Sequence, residues 1–273
     1  STQSTMFKNG ELAVLAPTGD YVQAYRDGAE EGDYTYIESY FPNVTYFYFN
    51  RQGNSTSGLM ESQKVRLALS LAANREEFTE VVFGRHNPAY GFVPLGVTVE
   101  EVNFRDNVTE PLLALAAEYD TPEKLQALFK EGMEELGDTR ELSEVTITYI
   151  CTGDTAIKRQ QQEYWQNLWE TTLGINVEVD LLGDSTLLSE ARNSGQYDIG
   201  QAGWNGDYND PMAFLEMWAS WGTSIRYSGW SEERAAEYDQ ILSQLDTTAD
   251  PAERVEIYAQ AEEWVVCEEV AAI

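Results

Sequence analysis

The stretch Tyr197-Asp198-Ile199-Gly200-Gln201-Ala202-Gly203-Trp204-Asn205-Gly206-Asp207-Tyr208-Asn209-Asp210-Pro211 concentrates the chemistry of this chain. A strand runs into Gly203 and Trp204, a polar turn follows, and Pro211 opens a helix. Such a turn exposes backbone N–H and C=O groups to a ligand. Gly203 and Gly206 let another backbone approach closely. Asp207 can pair with a ligand ammonium, a charge-assisted bond that strengthens where water is excluded. The competing reading is a capped turn, in which Asp207 or Asp210 holds helix N–H groups and Trp204 belongs to the core.

Catalytic constellations find little support. His86 is the single histidine and sits in a loop, with no GxSxG or similar nucleophile turn to make a triad. No GxGxxG or GxxxxGK[ST] phosphate cradle occurs, so no nucleotide cofactor is expected. Cys151 and Cys267 form no CxxC, no histidine cluster lies near them, and no DxDxDG loop is present, so no metal site is expected. Both cysteines sit in apolar stretches and read as buried free thiols, with a disulfide as the lesser alternative. The 47 acidic residues guarantee that some carboxylate pairs fall by chance at separations useful to a glycosidase, but nothing singles out one pair. A glycoside hydrolase therefore stays only as an alternative to a binding protein. Asn43, Asn54 and Asn107 each open an Asn-x-Ser/Thr sequon, which matters only in a eukaryotic secretory pathway.

Composition narrows the class. The chain has 273 residues, 42% of them hydrophobic, enough for a core in one large domain or two modest ones. Seven Trp, sixteen Tyr and ten Phe argue against disorder. A net charge of -30 repels phosphate backbones and anionic lipid, so nucleic acid is not an expected partner. No run of about 18 apolar residues marks a membrane span, and the start is unlike a signal peptide. Both ends look like boundaries of an excised segment. The final Val270-Ala271-Ala272-Ile273 reads as a strand cut short.

These residues need elements to hold them. Met6 to Leu15 suggests a short helix and then a strand, with a turn at Pro17 to Asp20. Phe41 to Asn50 reads as a strand apolar on both faces. The helical spacing of Val65, Leu69, Ala72, Phe78 and Val82 predicts a helix from Ser62 to Phe83, ended by Gly84. Residues 85–105 form a loop, and Thr121 with Pro122 starts a helix to Leu136. The middle alternates: a strand at Val145–Cys151, a helix at Thr155–Leu173, a strand at Ile175–Leu181, a helix at Ser185–Ser194, a strand at Tyr197–Ala202. That β-α-β-α-β order with short connections implies parallel strands and right-handed crossovers. Ligands bind beyond the carboxyl ends of such strands, here the loop Gly203–Pro211. Helices follow at Asp210–Trp218, Ser231–Leu245 and Asp250–Glu269, the last with Asp250, Pro251 and Glu253 placed as in a capping box.

Six stretches in order resemble the family 5 solute-binding proteins, the peptide and dipeptide receptors of bacterial ABC transporters. Ala202-Gly203-Trp204 with Asp207-Tyr208-Asn209 and Pro211 is similar to its AGW-x-x-DYN-x-P signature. Tyr46 to Asn50 resembles its aromatic strand, Lys64 to Ser70 with Asn74-Arg75-Glu76 its VR-x-AL helix, and Asn87 to Gly91 with Pro94 its PAYG-x-x-P loop. Leu173 to Val177 and Asp250 to Arg254 also match. The resemblance covers about residues 41–273.

It implies an α/β fold: a periplasmic-binding-protein-like lobe of type II, with a parallel βαβαβ core and flanking helices. Residues 41–273 would be the carboxy-terminal ligand-binding lobe, truncated before its return strand. Residues 1–40 would be a remnant of the amino-terminal lobe and hinge. The implied function is capture of extracellular peptides for uptake, with no catalysis and no metal or cofactor. The partners would be a peptide ligand and the permease subunits. Location would be the outer face of the membrane or the periplasm, through a lipid anchor outside this segment. The ligand is held by β-augmentation. Asp207 matches the aspartate that binds a peptide α-ammonium, and Gly203 and Asn205 match residues whose main chain pairs with the peptide. Trp204 matches a pocket-lining tryptophan, Tyr46 a strand tyrosine near the ligand, and Arg192 an arginine that meets a ligand carboxylate. Some peptide receptors carry an arginine where this chain has Gln201, which leaves carboxylate recognition and peptide length open. Receptors of the same fold for nickel, heme or sugars, and a sensor or adhesion module, are the other readings.

Overall fold

The computed structural model describes residues 2–17, 21–30, 32–80, 86–153, 155–224 and 229–273. In chain order these give α1 (Thr2–Lys8), α2 (Tyr21–Glu30), β1 (Asn43–Phe49), α3 (Gln63–Leu71), α4 (Arg75–Phe78), β2 (Thr98–Val99) and β3 (Val102–Asn103). Next come α5 (Phe104–Asn107), α6 (Leu112–Glu118), α7 (Pro122–Glu135), β4 (Thr146–Thr152), α8 (Ala156–Leu173), β5 (Asn176–Leu182), α9 (Ser185–Ser194) and β6 (Ile199–Asn205). The series closes with α10 (Met212–Leu215), α11 (Glu232–Ser243) and α12 (Pro251–Glu263).

These residues fall into two compact units, 1–40 with 75–88, and 41–74 with 89–273. In the first, Phe7, Tyr25 and Tyr34 meet ring to ring with centroids 5.5–5.9 Å apart. No strand forms over residues 9–17, contrary to the expectation from Met6 to Leu15. The chain turns back at Gly10 instead, where Glu11 donates its N–H to Met6 O. The tyrosine-rich stretch at 21–30 is helical, which its composition did not signal. Of the expected turn at Pro17 to Asp20, residues 18–20 lie outside the described residues, as does Gly84.

The second unit is built on a four-stranded sheet in the order β1-β6-β4-β5. β4 runs parallel to both β5 and β6, and β1 runs antiparallel to β6. The expected parallel β-α-β-α-β core is therefore present. The path runs from β4 to β5 and back across β4 to β6, and the right-handed rule for such crossovers sends the two connections to opposite faces. On one face Trp165 and Trp169 of α8 pack edge-on against Phe47 at 5.1 and 5.3 Å. On the other, Tyr46, Phe92 and Trp218 form a second aromatic cluster, with centroids 5.1–6.0 Å apart. Edge-to-face pairs of this kind add about 0.5–1.5 kcal/mol each beyond their burial.

The helix starts follow their caps. Thr121 accepts from Lys124 N–H, Thr155 from Lys158 N–H, Asp184 from Thr186 and Leu187, and Asp250 from Ala252 and Glu253. Two helices differ from expectation. The one expected over Ser62–Phe83 breaks at Ala72–Asn74 into α3 and α4, because Ala72 and Ala73 close a final turn onto Ala68 O and Ser70 O. The one expected to reach Glu269 is α-helical only to Glu263, then widens into a π turn over Trp264–Glu268.

Buried ions fix the long connections. Glu262 is fully buried and accepts the N–H groups of Phe92 and Val93 at 2.6 and 2.7 Å. It also pairs with Arg105, whose Nε donates to Val93 O at 2.9 Å. A Cβ at Gly91 would lie 2.5 Å from Arg105 and 2.7 Å from Glu262, so the loop needs glycine there. At the end of the chain, buried Arg66 donates to the carbonyls of Met60, Glu269 and Val270. Ile273 exchanges two backbone hydrogen bonds with Phe47, of 2.8 and 3.0 Å, and Ala272 bridges Tyr48. Ala272 and Ile273 thus lie against the outer edge of β1 as an isolated bridge. Both cysteines are free, Cys151 buried and Cys267 half-buried. Burial pushes the two thiols up to about 11 and about 12.

Candidate functional site: an open strand edge

The third parallel strand is longer than expected. β6 continues through Gly203, Trp204 and Asn205, where the sequence pattern predicts a loop, because each faces a residue of β1: Thr45, Val44 and Asn43. Pairing with β4 is shorter and covers only Tyr149 with Ile199 and Ile150 with Gly200. From Gln201 onward β6 is laddered on one side alone. This fork opens at the carboxyl ends of the parallel strands, where the strand connections part in opposite directions.

The register fixes which groups face the opening. Gly206 donates its N–H to Pro42 O at 2.8 Å, and Asn50 donates to Asp198 O at 2.9 Å. Hydrogen-bonded and non-bonded pairs alternate along an antiparallel ladder, so Gly200, Ala202 and Trp204 turn their backbone groups toward β1. The N–H and C=O of Gly203 and Asn205 then point the other way, into the fork. Both residues are exposed. At Gly203 a Cβ would have Val44 O as nearest neighbour at 3.7 Å, so the chain's own packing leaves room there. Gly206 differs: a Cβ would lie 2.8 Å from the Phe214 ring, and the turn requires glycine for internal reasons.

The two aspartates of the turn have separate roles. Asp210 holds the start of α10 by accepting Met212 N–H at 2.9 Å. Asp207 is exposed, and among the described residues its carboxylate has no hydrogen-bond or ion-pair partner. The turn between them is braced without it. Asn209 exchanges two bonds with Thr98, and Tyr208 donates to Glu216 at 2.9 Å. Trp204 is half-buried and donates its indole N–H to Ala213 O at 2.7 Å, which ties the strand to α10.

Tyr46 lies opposite Ala202, beside Gly203, so the strand pair brings it to the same neighbourhood. Its ring is buried between Phe92 and Trp218 and works as a core residue there. Arg192, from α9, lies over the Tyr48 ring at 4.7 Å and donates through Nε to the Tyr48 hydroxyl. Its Nη2 donates to Gln201 O at 3.4 Å. The Gln201 side chain points to the opposite face, where Tyr149 donates to its Oε1 at 3.4 Å. Nothing in the sequence marks Tyr48 or Thr45 as neighbours of this edge; the strand register sets them opposite Gly200 and Gly203.

Other places offer less. Among the described residues no group of three or more His, Cys, Asp or Glu side chains could hold a metal ion. No helix among them is long and apolar enough to cross a membrane. His86 is exposed. A cavity of about 830 Å³ lies within the first unit, lined by residues such as Phe7, Tyr25 and Tyr34, and contains none of the candidate residues.

A βαβαβ sheet with an open edge at its carboxyl end is the fold of a type II periplasmic-binding-protein lobe. Residues 1–225 match the family described as "Bacterial extracellular solute-binding proteins, family 5 Middle", and the chain belongs to that family. It is 28% identical over 275 residues to the dipeptide-binding protein of Lactococcus lactis subsp. cremoris, covering 96% of this chain and 46% of that one. It is 27% identical over 275 residues to the oligopeptide-binding protein OppA of Bacillus subtilis, covering 96% and 45%. In structure it resembles the substrate-binding domain of an oligopeptide ABC transporter from Bacillus anthracis, with TM-score 0.73, 24% identity, and 100% of this chain on 50% of that one. Listeria monocytogenes OppA bound to peptide gives TM-score 0.71, 22% identity and coverage of 99% and 49%. The last two likenesses concern the fold. The chain spans about half the length of the curated relatives it matches.

Proposed function

We propose that this chain is the carboxy-terminal, ligand-holding part of a receptor that captures extracellular peptides for import by an ABC transporter, and that it catalyses no reaction. Residues 41–273 are the lobe, and residues 1–40 belong to the other lobe and the hinge. The observation that carries the reading is the open edge of β6. Gly203 and Asn205 offer main-chain donors and acceptors two residues apart, the period of an extended peptide, and Asp207 ends the row with a free carboxylate. An edge of backbone groups complements a peptide backbone whatever its side chains, and a carboxylate at one end complements an α-ammonium. Relatives named for dipeptides and oligopeptides support the same ligand class. In the whole receptor a second lobe closes over the ligand, permease subunits receive it, and a lipid anchor or secretion keeps the protein outside the cell.

The test is calorimetry of the full natural chain with short unmodified peptides and with the same peptides acetylated at the amino terminus. Binding that is weakened about tenfold or more by acetylation, and equally by Asp207→Ala, is the expected result. Undiminished affinity in the variant removes Asp207 from the site, and no binding of any peptide removes the reading.

A further inference from the structure

The open edge of β6 has a definite beginning, and we infer that Arg192 sets it: this arginine is a positioning residue that stops the bound strand at Gly203. The inference rests on the peptide reading of the edge.

Tyr48 and Gly200 stand directly opposite each other on β1 and β6. A Cβ on residue 200 would lie 2.1 Å from both Cζ and the hydroxyl oxygen of Tyr48, so glycine lets that ring lie across β6. Aromatic cover over a strand glycine is a recurrent way to close such a gap. The folded ring brings its hydroxyl to the fork, where α9 delivers Arg192. The guanidinium stacks on the ring at 4.7 Å, and its Nε donates to the hydroxyl. Two contacts on one ring fix its plane, and Nη2 is thereby aimed at Gln201 O, 3.4 Å away.

Gln201 is the first residue of β6 past its last pairing with β4. Its carbonyl belongs to the same outward row as Gly203 and Asn205. A strand edge invites pairing through every free backbone group. Arg192 occupies the first carbonyl of the row, so a ligand strand lying on Asn205 and Gly203 meets a charged, rigid group instead of a third rung. Arg192 thus limits length, and its role does not depend on a carboxylate at the end of the ligand.

The experiment is calorimetry of the full natural chain, wild type and Arg192→Gln, with alanine peptides of two to eight residues bearing free or amidated carboxyl ends. For the wild type, affinity is expected to rise with length and then level off. In Arg192→Gln the plateau is expected two residues later, with about fivefold tighter binding of the longer peptides from the added rung, and with equal gains for free and amidated ends. Tyr48→Phe keeps the ring over Gly200 but removes the hydroxyl, and a partial shift in the same direction is expected. Its fold is checked by an unchanged melting temperature. A plateau at the same length in both variants overturns the inference. So does a loss confined to peptides with free carboxyl ends, which makes Arg192 a carboxylate partner. Absence of any peptide binding by the wild type strikes the peptide reading itself and is thereby distinguished.

Discussion

The two halves of β6 are one strand with two kinds of environment. At its start, Asp198 is fully buried, and its carboxylate accepts Ser57 N–H, Ser57 hydroxyl and Thr148 N–H at 2.6–2.9 Å. Ile199 and Gly200 are laddered on both sides. Past its end, Asp207 is exposed, and the preceding Gly203 and Asn205 are laddered on one side only. A buried carboxylate without partners costs several kcal/mol, so the chain must satisfy Asp198 itself. An exposed one is satisfied by water until something better arrives. The same residue type thus serves structure at one end of the strand and stays available to a ligand beyond the other.

Substitutions along the strand break or sharpen that contrast. Asp198→Ala orphans three donors and is expected to cost about 3 kcal/mol in urea unfolding. If it costs under about 1 kcal/mol, the closed half is not held as described. Gly200→Ala drives a methyl into the Tyr48 ring and is expected to cost about 2 kcal/mol, a penalty expected to vanish when the same change is made in a Tyr48→Ala background. Trp204→Phe loses the bond to Ala213 O and is expected to cost about 1 kcal/mol. Asp207→Ala, in the open half, is expected to change stability by less than about 0.5 kcal/mol while weakening ligand binding about tenfold or more. A melting shift as large as that of Asp198→Ala would erase the distinction between the halves.

Acidity offers a finer test. Burial raises the Asp198 carboxyl above its ordinary value of 3.8, against the pull of its three donors. The folded state therefore binds this proton more tightly than the unfolded chain does. The associated stability is full below the unfolded value and is lost as pH rises through the folded one. The excess stability of wild type over Asp198→Asn is accordingly expected to shrink as pH rises above the ordinary carboxyl value of 3.8, measured by urea unfolding.

Local rules carried much of the architecture. Thr121-Pro122, Thr155 and Asp250-Pro251 mark helix starts because each supplies a side-chain acceptor for the orphan N–H groups of the first turn. Alternation of strand and helix patterns across residues 145–205 requires parallel strands, and the structure has them. The helix break at Ala72–Asn74 escaped the spacing rule, since the apolar period runs on through the break and only hydrogen bonds reveal it. The end of β6 escaped as well. Gly203-Trp204-Asn205-Gly206 reads as a turn, and pairing with Asn43 to Thr45, some 160 residues distant, turns it into strand.

For the candidate site the division is sharper. Residue types alone left Gly203 and Asp207 open between a ligand site and a capped turn, and the family resemblance favoured the ligand site. They could not decide between Asp207 and Asp210 as the cap, nor tell that Gly206 makes room for Phe214 while Gly203 makes room for something else. They could not place Tyr46 in the core or Arg192 on Tyr48. Those outcomes depend on strand order and register, which bring together groups remote in the chain. Sequence determined which groups are candidates for the chemistry; the tertiary fold decided which of them it uses for itself and which it leaves free, because hydrogen-bond satisfaction is settled only when distant partners meet.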